Sequence, residues 1–143
     1  MADFFNGISE HTLDGKGRVI VPAKHRARFA DGAFLAIENN RSLALLTRAT
    51  YDKKAAEWLA RYETGEEEAA LYWSSGVEEV TIDAATGRLL IPPHMRRYAQ
   101  LELGALVLLT GAIAHLAIWN PALFEERITT VAEPGFTRDR KKK

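Results

Sequence analysis

Thr12-Leu13-Asp14-Gly15-Lys16-Gly17-Arg18-Val19-Ile20-Val21-Pro22 is a stretch that the chain uses twice, for it returns as Thr81-Ile82-Asp83-Ala84-Ala85-Thr86-Gly87-Arg88-Leu89-Leu90-Ile91-Pro92. Both copies set an acid before a glycine-containing turn, an arginine after it, then an apolar run and a proline. Each continues into a basic segment in which Arg26 answers Arg96. Gly32-Ala33-Phe34-Leu35 is then matched by Gly104-Ala105-Leu106-Val107, and Leu43-Ala44-Leu45-Leu46-Thr47 by Leu116-Ala117-Ile118-Trp119-Asn120. Glycine, proline and apolar positions recurring in one order over so long a span mark an internal duplication.

Each half predicts the same local structure. An extended segment reaches the acid, and after the turn a short apolar strand (Val19 to Val21, Leu89 to Ile91) meets a proline where a missing N–H costs nothing. A basic helix follows, over Ala23 to Phe29 or Pro93 to Gln100, ending near Asp31-Gly32 or Gly104. A hairpin comes next, turning at Asn39-Asn40, where asparagine tolerates positive φ, or near Gly111-Ala112. Thr47 and Asn120 then stand as helix N-caps. Tyr51, Ala55, Trp58, Leu59 and Tyr62 recur at helical spacing, and Thr64 with Glu67 reads as a capping box opening a second linker helix. The expected organisation is β-rich α+β: repeats at 8–52 and 77–120, linker helices at 53–76, and a C-terminal helix with a basic tail at 121–143. The tail from Thr137 on, with Arg138, Arg140 and Lys141 to Lys143, lacks apolar periodicity and is expected to be disordered. One half alone is short of core, so the two are expected to interleave.

With 143 residues, 47% hydrophobic and 27% charged, the composition is that of one soluble globular unit. The absence of cysteine excludes thiolate catalysis, disulfides and cysteine-based metal sites. Met1 to Gly7 has no secretory pattern, and no window reaches the roughly 18 consecutive apolar residues of a membrane span. His11, His25, His94 and His115 lack ligand spacing, and no serine sits in a nucleophile elbow, so no enzyme, metal, cofactor or small-molecule substrate is expected; each histidine reads as a lone surface residue. Net charge is zero, yet Lys16, Arg18, Lys24, Arg26 and Arg28 crowd around a single acid, Asp14, while Glu63 to Glu68 is acidic. A neutral protein can thus carry a basic edge, and only the local field matters to phosphate.

The first turn is suited to nucleic acid. Gly15 and Gly17 let backbone approach phosphate, and Lys16 and Arg18 project as a point charge and a bidentate fork. An arginine on a narrow ribbon can pair with guanine O6 and N7 in the major groove. Asp14 would orient Arg18 or close the turn. The plainer reading is a solvated hairpin with a structural Asp–Arg pair. Lys24, Arg26 and Arg28 are likewise either phosphate contacts or solvated helix charges, and Arg26 with Arg96 could equally hold the halves together. Trp58, Tyr72, Trp73 and Trp119 fit core or interface positions better than base-stacking platforms.

Asp14 to Pro22 resembles the Asp-x-x-x-Arg signature of the MraZ family, which occurs twice and is followed by an apolar strand and proline; in the family the second hairpin leads to a tryptophan, here Trp119. The likeness spans Gly7 to Glu126, with departures in the second copy, whose turn is one residue longer, and in the linker, where Glu66-Glu67-Glu68 replaces frequent arginines. The resemblance implies an interleaved, double-ψ or swapped-hairpin AbrB-like barrel, ring-shaped homo-oligomers, and double-stranded DNA as partner. The DNA would be short direct repeats upstream of the division and cell-wall gene cluster, read by a cytoplasmic, nucleoid-associated transcriptional regulator. On that view Lys16, Arg18, Lys24, Arg26 and Arg28 contact DNA, whereas Asp14, Gly17, Asp83, Gly87, Arg88 and Arg96 shape the turns. An oligomeric scaffold using the same barrel without DNA is the alternative; an antitoxin-like AbrB relative is disfavoured by the duplication and the short tail.

Overall fold

The computed structural model describes residues 4–131. The basic tail (Arg138, Arg140 and Lys141 to Lys143) lies outside the described residues. Within them the chain runs β1 (Ile8–Thr12), β2 (Arg18–Ile20), α1 (Ala23–Arg26, continued by a 3₁₀ turn, Ala27–Phe29), β3 (Ala33–Ile37), β4 (Leu43–Thr47), α2 (Arg48–Glu63) and α3 (Glu67–Ser75). It continues with β5 (Val77–Val80), β6 (Arg88–Leu90), α4 (Pro93–Ala99), β7 (Leu106–Gly111), β8 (Leu116–Trp119) and α5 (Pro121–Val131). This is a mixed α+β architecture organised by a large antiparallel sheet.

Six strands form that sheet in the order β1-β7-β8-β4-β3-β5, and β2 pairs with β6 in a separate antiparallel ribbon. The order reads the same from either end when each strand is exchanged for its counterpart in the other copy. The first strand of each copy pairs with the hairpin of the other: β1 lies along β7, and β5 along β3. At the centre β4 meets β8 with Ala44 opposite Ala117, the same position of the duplicated sequence. Strand exchange is how copies with too little core of their own cover one another.

Side-chain alternation divides the sheet into two faces. Leu35, Leu43, Leu45, Leu109, Leu116 and Ile118 point into the main core, where they meet Val19, Val21, Leu89 and Ile91 from the ribbon strands and their continuations. Phe34, Ala36, Ala44 and Leu46, with Leu108, Ala117 and Trp119, occupy the other face. There the Tyr51 ring of α2 stacks on Phe34 at 4.3 Å, and Phe124 of α5 meets Trp119 edge-on at 5.5 Å. Cover on both faces explains why β3, β4, β7 and β8 read as continuous apolar runs.

Local signals behave unevenly. Thr47 caps α2 by accepting from the Thr50 N–H at 3.2 Å, and Asn120 caps α5 by accepting from Ala122 at 2.8 Å and Leu123 at 3.2 Å. The expected capping box does not form: the Thr64 hydroxyl donates to the Ala60 and Arg61 carbonyls, closing the C-terminus of α2, and Glu66 precedes α3 without a side-chain cap. In the first hairpin Arg41, at φ 73°, takes the left-handed position expected of the asparagines. Asn40 instead accepts from the Ser42 N–H and hydroxyl. The second basic helix ends at a left-handed Gln100, ahead of Gly104.

His25, expected at the surface, is buried against Phe5 with ring centroids 5.1 Å apart, and its Nδ1 has no hydrogen-bond partner among the described residues. Burial holds its pKa below the ordinary imidazole value, helped by the nearby positive charges of Lys24 and Arg28. Burial, with Lys54 adding to it, lowers His115 to about 4. Both are therefore neutral in the fold and take up a proton more readily when unfolded, so stability is full above pH 6.5 and falls as pH drops from 6.5 towards about 4. His25→Met, which installs the residue that the second copy carries as Met95, should raise the melting temperature near pH 5 by more than it does at neutral pH. An equal shift at both pH values would remove His25 as a source of the dependence.

Candidate nucleic-acid interface

The two turns close by different hydrogen bonds because they differ by one residue. In the first, the Gly17 N–H donates to the Asp14 carbonyl at 3.0 Å; in the second, the Gly87 N–H reaches back one residue further, to the Asp83 carbonyl, at 2.7 Å. The carboxylates follow suit. Asp14 Oδ1 accepts from the N–H groups of Lys16 and Arg18, each at 2.9 Å, and Oδ2 accepts from Arg18 Nε at 2.8 Å. Asp83 Oδ1 accepts from the Ala85 and Thr86 N–H groups, each at 2.9 Å. The Arg18 N–H bond above all, with the guanidinium and the Lys16 N–H adding to it, holds the Asp14 carboxyl down to about 2 against the opposing effect of burial, which is second in size only to that bond. The Thr86 N–H leads the lowering at Asp83.

Consequently the two arginines are held differently. Arg18 is tied at Nε to Asp14, which leaves its terminal nitrogens without a partner among the described residues. The Arg88 side chain is exposed and makes no hydrogen bond or ion pair among them; its backbone N–H donates to the Thr86 hydroxyl at 3.2 Å and its carbonyl accepts from the Asp83 N–H at 2.9 Å.

Arg26 and Arg96 form a reciprocal clasp between the copies. Arg26 Nε donates to the Val21 carbonyl at 2.8 Å, and Arg96 Nε to the Ile91 carbonyl at 3.0 Å. Each guanidinium then lies over the turn glycine of the opposite copy. A Cβ on Gly87 would stand 2.3 Å from Arg26 Cζ, and one on Gly17 3.0 Å from Arg96 Cζ. With φ at +76° and +86°, these glycines give both the turn and the space for the clasp. Arg28 donates to the Phe4 carbonyl at 3.1 Å, with its guanidinium 4.0 Å from the centroid of the Phe5 ring, and so fastens the N-terminal segment. Lys16 and Lys24 are exposed.

β2 and β6 bring these turns together. Arg18 stands opposite Leu90, Val19 opposite Leu89, and Ile20 opposite Arg88. Directly paired residues share a face, so Val19 and Leu89 point into the core while Arg18, Ile20, Arg88 and Leu90 form one outward face.

A family model described as "MraZ protein, putative antitoxin-like" matches residues 4–71 and again residues 74–143. The chain belongs to the MraZ family. It is 34% identical over 125 residues to the transcriptional regulator MraZ of Mycolicibacterium gilvum, covering 85% of each chain. Similarity to the MraZ regulator of Roseiflexus castenholzii is 29% over 131 residues, spanning 89% of this chain and 88% of the relative. The Thermoanaerobacter pseudethanolicus MraZ regulator is 31% identical over 122 residues, covering 84% and 83% respectively. Each matched segment of this MraZ chain contains one of the two turns, and the ribbon joins them.

Sequence reading missed the outward pair Ile20 and Leu90 and the buried state of His25. The signal was in the duplication: with Pro22 set against Pro92, His25 falls on Met95, both buried, and Ile20 on Leu90, both exposed.

Proposed function

We propose that this chain is a sequence-specific DNA-binding transcriptional regulator that acts as a homo-oligomeric ring. The observation that carries the reading is the two-stranded ribbon that presents Arg18 and Arg88 on one exposed face beside Lys16. A two-stranded ribbon fits the major groove, where arginine's fork pairs with guanine. The transcriptional-regulator name borne by the relatives supports it. In this reading Arg18 and Lys16 read DNA, and Lys24 contacts phosphate. Arg26 and Arg28 add positive charge while they hold the ribbon and the N-terminal segment. Asp14, Gly17, Asp83, Gly87 and Arg96 set the turns, and Arg88 stands on the ribbon face as a second, weaker DNA contact. The repeats at 8–52 and 77–120 form an AbrB-like swapped-hairpin barrel, and 53–76 links them; the strand exchange supports this. The target is a set of short direct repeats upstream of a division and cell-wall gene cluster, in the nucleoid.

Oligomerisation is supported by the α2–α3 hairpin. Its apolar stripe is not covered by the described residues: Leu59, Tyr62, Leu71 and Tyr72 are 57%, 45%, 56% and 52% exposed. Joining several weak ribbons multiplies affinity without new contacts.

The test is a salt titration with duplexes containing and lacking short direct repeats. Repeat DNA should bind more tightly at every salt concentration, and log K should fall linearly with log salt. Lys24→Ala should reduce that slope by about one and weaken all duplexes alike. Equal affinity for both duplexes would overturn the specific-binding reading in favour of a scaffold.

A further inference from the structure

Ile20 and Leu90 stand 44% and 53% exposed on a ribbon whose opposite face, Val19 and Leu89, is almost completely buried. The ribbon has three residues per strand, and both copies place a large aliphatic side chain at the same outward position. Each lies directly across from the other copy's arginine, giving the pairs Arg18–Leu90 and Ile20–Arg88. The face is therefore a checkerboard of cation and aliphatic. Strand preference alone does not account for it, since threonine or another polar β-former would serve at a solvent-facing position.

Which partner offers a matching checkerboard? The arginines require an acceptor-rich, negatively charged surface, and the aliphatics require an apolar group between those acceptors. The floor of the DNA major groove supplies both: O6 and N7 on guanine, and the C5-methyl group on thymine. Same-face residues along a strand are roughly 6.8 Å apart, close to two base-pair steps of about 3.4 Å, so a strand following the groove keeps its residues in step with the bases.

We propose that Ile20 and Leu90 are specificity-determining residues that pack on thymine methyl groups next to guanines held by Arg18 and Arg88. The inference rests on the DNA-binding reading of the ribbon. Arginine alone selects guanine and leaves the neighbouring positions open; the aliphatic pair adds selection for thymine there.

The experiment separates the two readings. The full chain is used to select duplexes from a random pool, and each thymine of the selected duplex is then replaced in turn by deoxyuridine, which removes only the methyl group. At thymines beside a guanine, replacement should weaken binding roughly four-fold, equivalent to ~0.8 kcal/mol for one buried carbon. The doubly substituted chain, Ile20→Ser with Leu90→Ser, should bind thymine and deoxyuridine duplexes equally while keeping its circular dichroism and assembly mass. Failure to enrich any sequence would overturn sequence-specific DNA binding itself. Enrichment without sensitivity to deoxyuridine would overturn only the role of Ile20 and Leu90. Unchanged methyl sensitivity in the serine variant would do the same, and a changed assembly mass alongside it would make this face a subunit contact.

Discussion

Leu89→Ala should lower the melting temperature by roughly 5–20 °C and remove specific DNA binding with it. Leu89 is fully buried at the midpoint of β6, opposite Val19, and also bridges to Ile82. It belongs to the same cluster as Leu35, Leu45 and Ile118 of the large sheet, so its side chain is where the ribbon is nailed to the core. Truncating a buried leucine removes transfer energy and leaves a cavity, together about 2–5 kcal/mol. The ribbon is only three residues per strand and buries only Val19 and Leu89, so loss of that contact loosens the register of the two turns. Leu103→Ala, at a half-exposed position in the loop before β7, should change stability by only about 0.5 kcal/mol or less. Melting at one fixed protein concentration decides the matter. If the two variants melted together, the ribbon would not be part of the cooperative core.

Elements built from local chemistry were legible in the sequence. Thr47 and Asn120 form their caps, Pro93 opens α4, and the apolar strands after both turns lie inward at alternate positions. Strand partnership was less accessible. The duplication implied that the copies interleave, yet nothing in Ile8–Thr12 says that its neighbour is β7, because the choice is made by which edge of the assembled sheet remains open. The stripe of α2 shows a second limit. Helical spacing at Trp58, Leu59 and Tyr62 reports an apolar face, and spacing alone cannot say what covers it; among the described residues Leu59 and Tyr62 remain exposed. Thr64 and Glu67 matched a capping pattern, but the α2 carbonyls lay closer to the hydroxyl and captured it. At the candidate site the residues were legible and their division of labour was not. Arg26 and Arg96 read either as helix cations or as a pair holding the halves together, and the folded arrangement lays each guanidinium over the opposite copy's glycine, as the second of these requires.

Arg18→Ala should abolish selection for repeat DNA, whereas Arg88→Ala should leave a milder defect, with both chains keeping the assembly mass of the parent. Two physical differences separate the arginines. Asp14 fixes Arg18 through Nε, so its terminal nitrogens are aimed before DNA arrives. Arg88 has no such tie among the described residues and must be ordered on binding, at a cost of about 0.5–1.5 kcal/mol for a side chain of that length. Lys16 adds a cation beside Arg18, while the second turn has Ala84, Ala85 and Thr86 in its place. Loss of a guanine-reading fork costs roughly 1–3 kcal/mol per contact, and the losses act together when several ribbons engage one duplex. Asp14→Asn tests the orientation argument directly. It keeps an Oδ1 to accept the turn's N–H groups but removes the Oδ2 acceptor and leaves Arg18 as unrestrained as Arg88, so it should weaken specific binding by roughly ten-fold, while non-specific binding stays level or rises with the loss of a negative charge. Gel-shift titrations on repeat and scrambled duplexes, with light scattering on the same samples, distinguish these outcomes. Equal and complete loss in Arg18→Ala and Arg88→Ala, with both assemblies intact, would mean that the two turns read DNA as equals and that the tie to Asp14 contributes nothing to recognition.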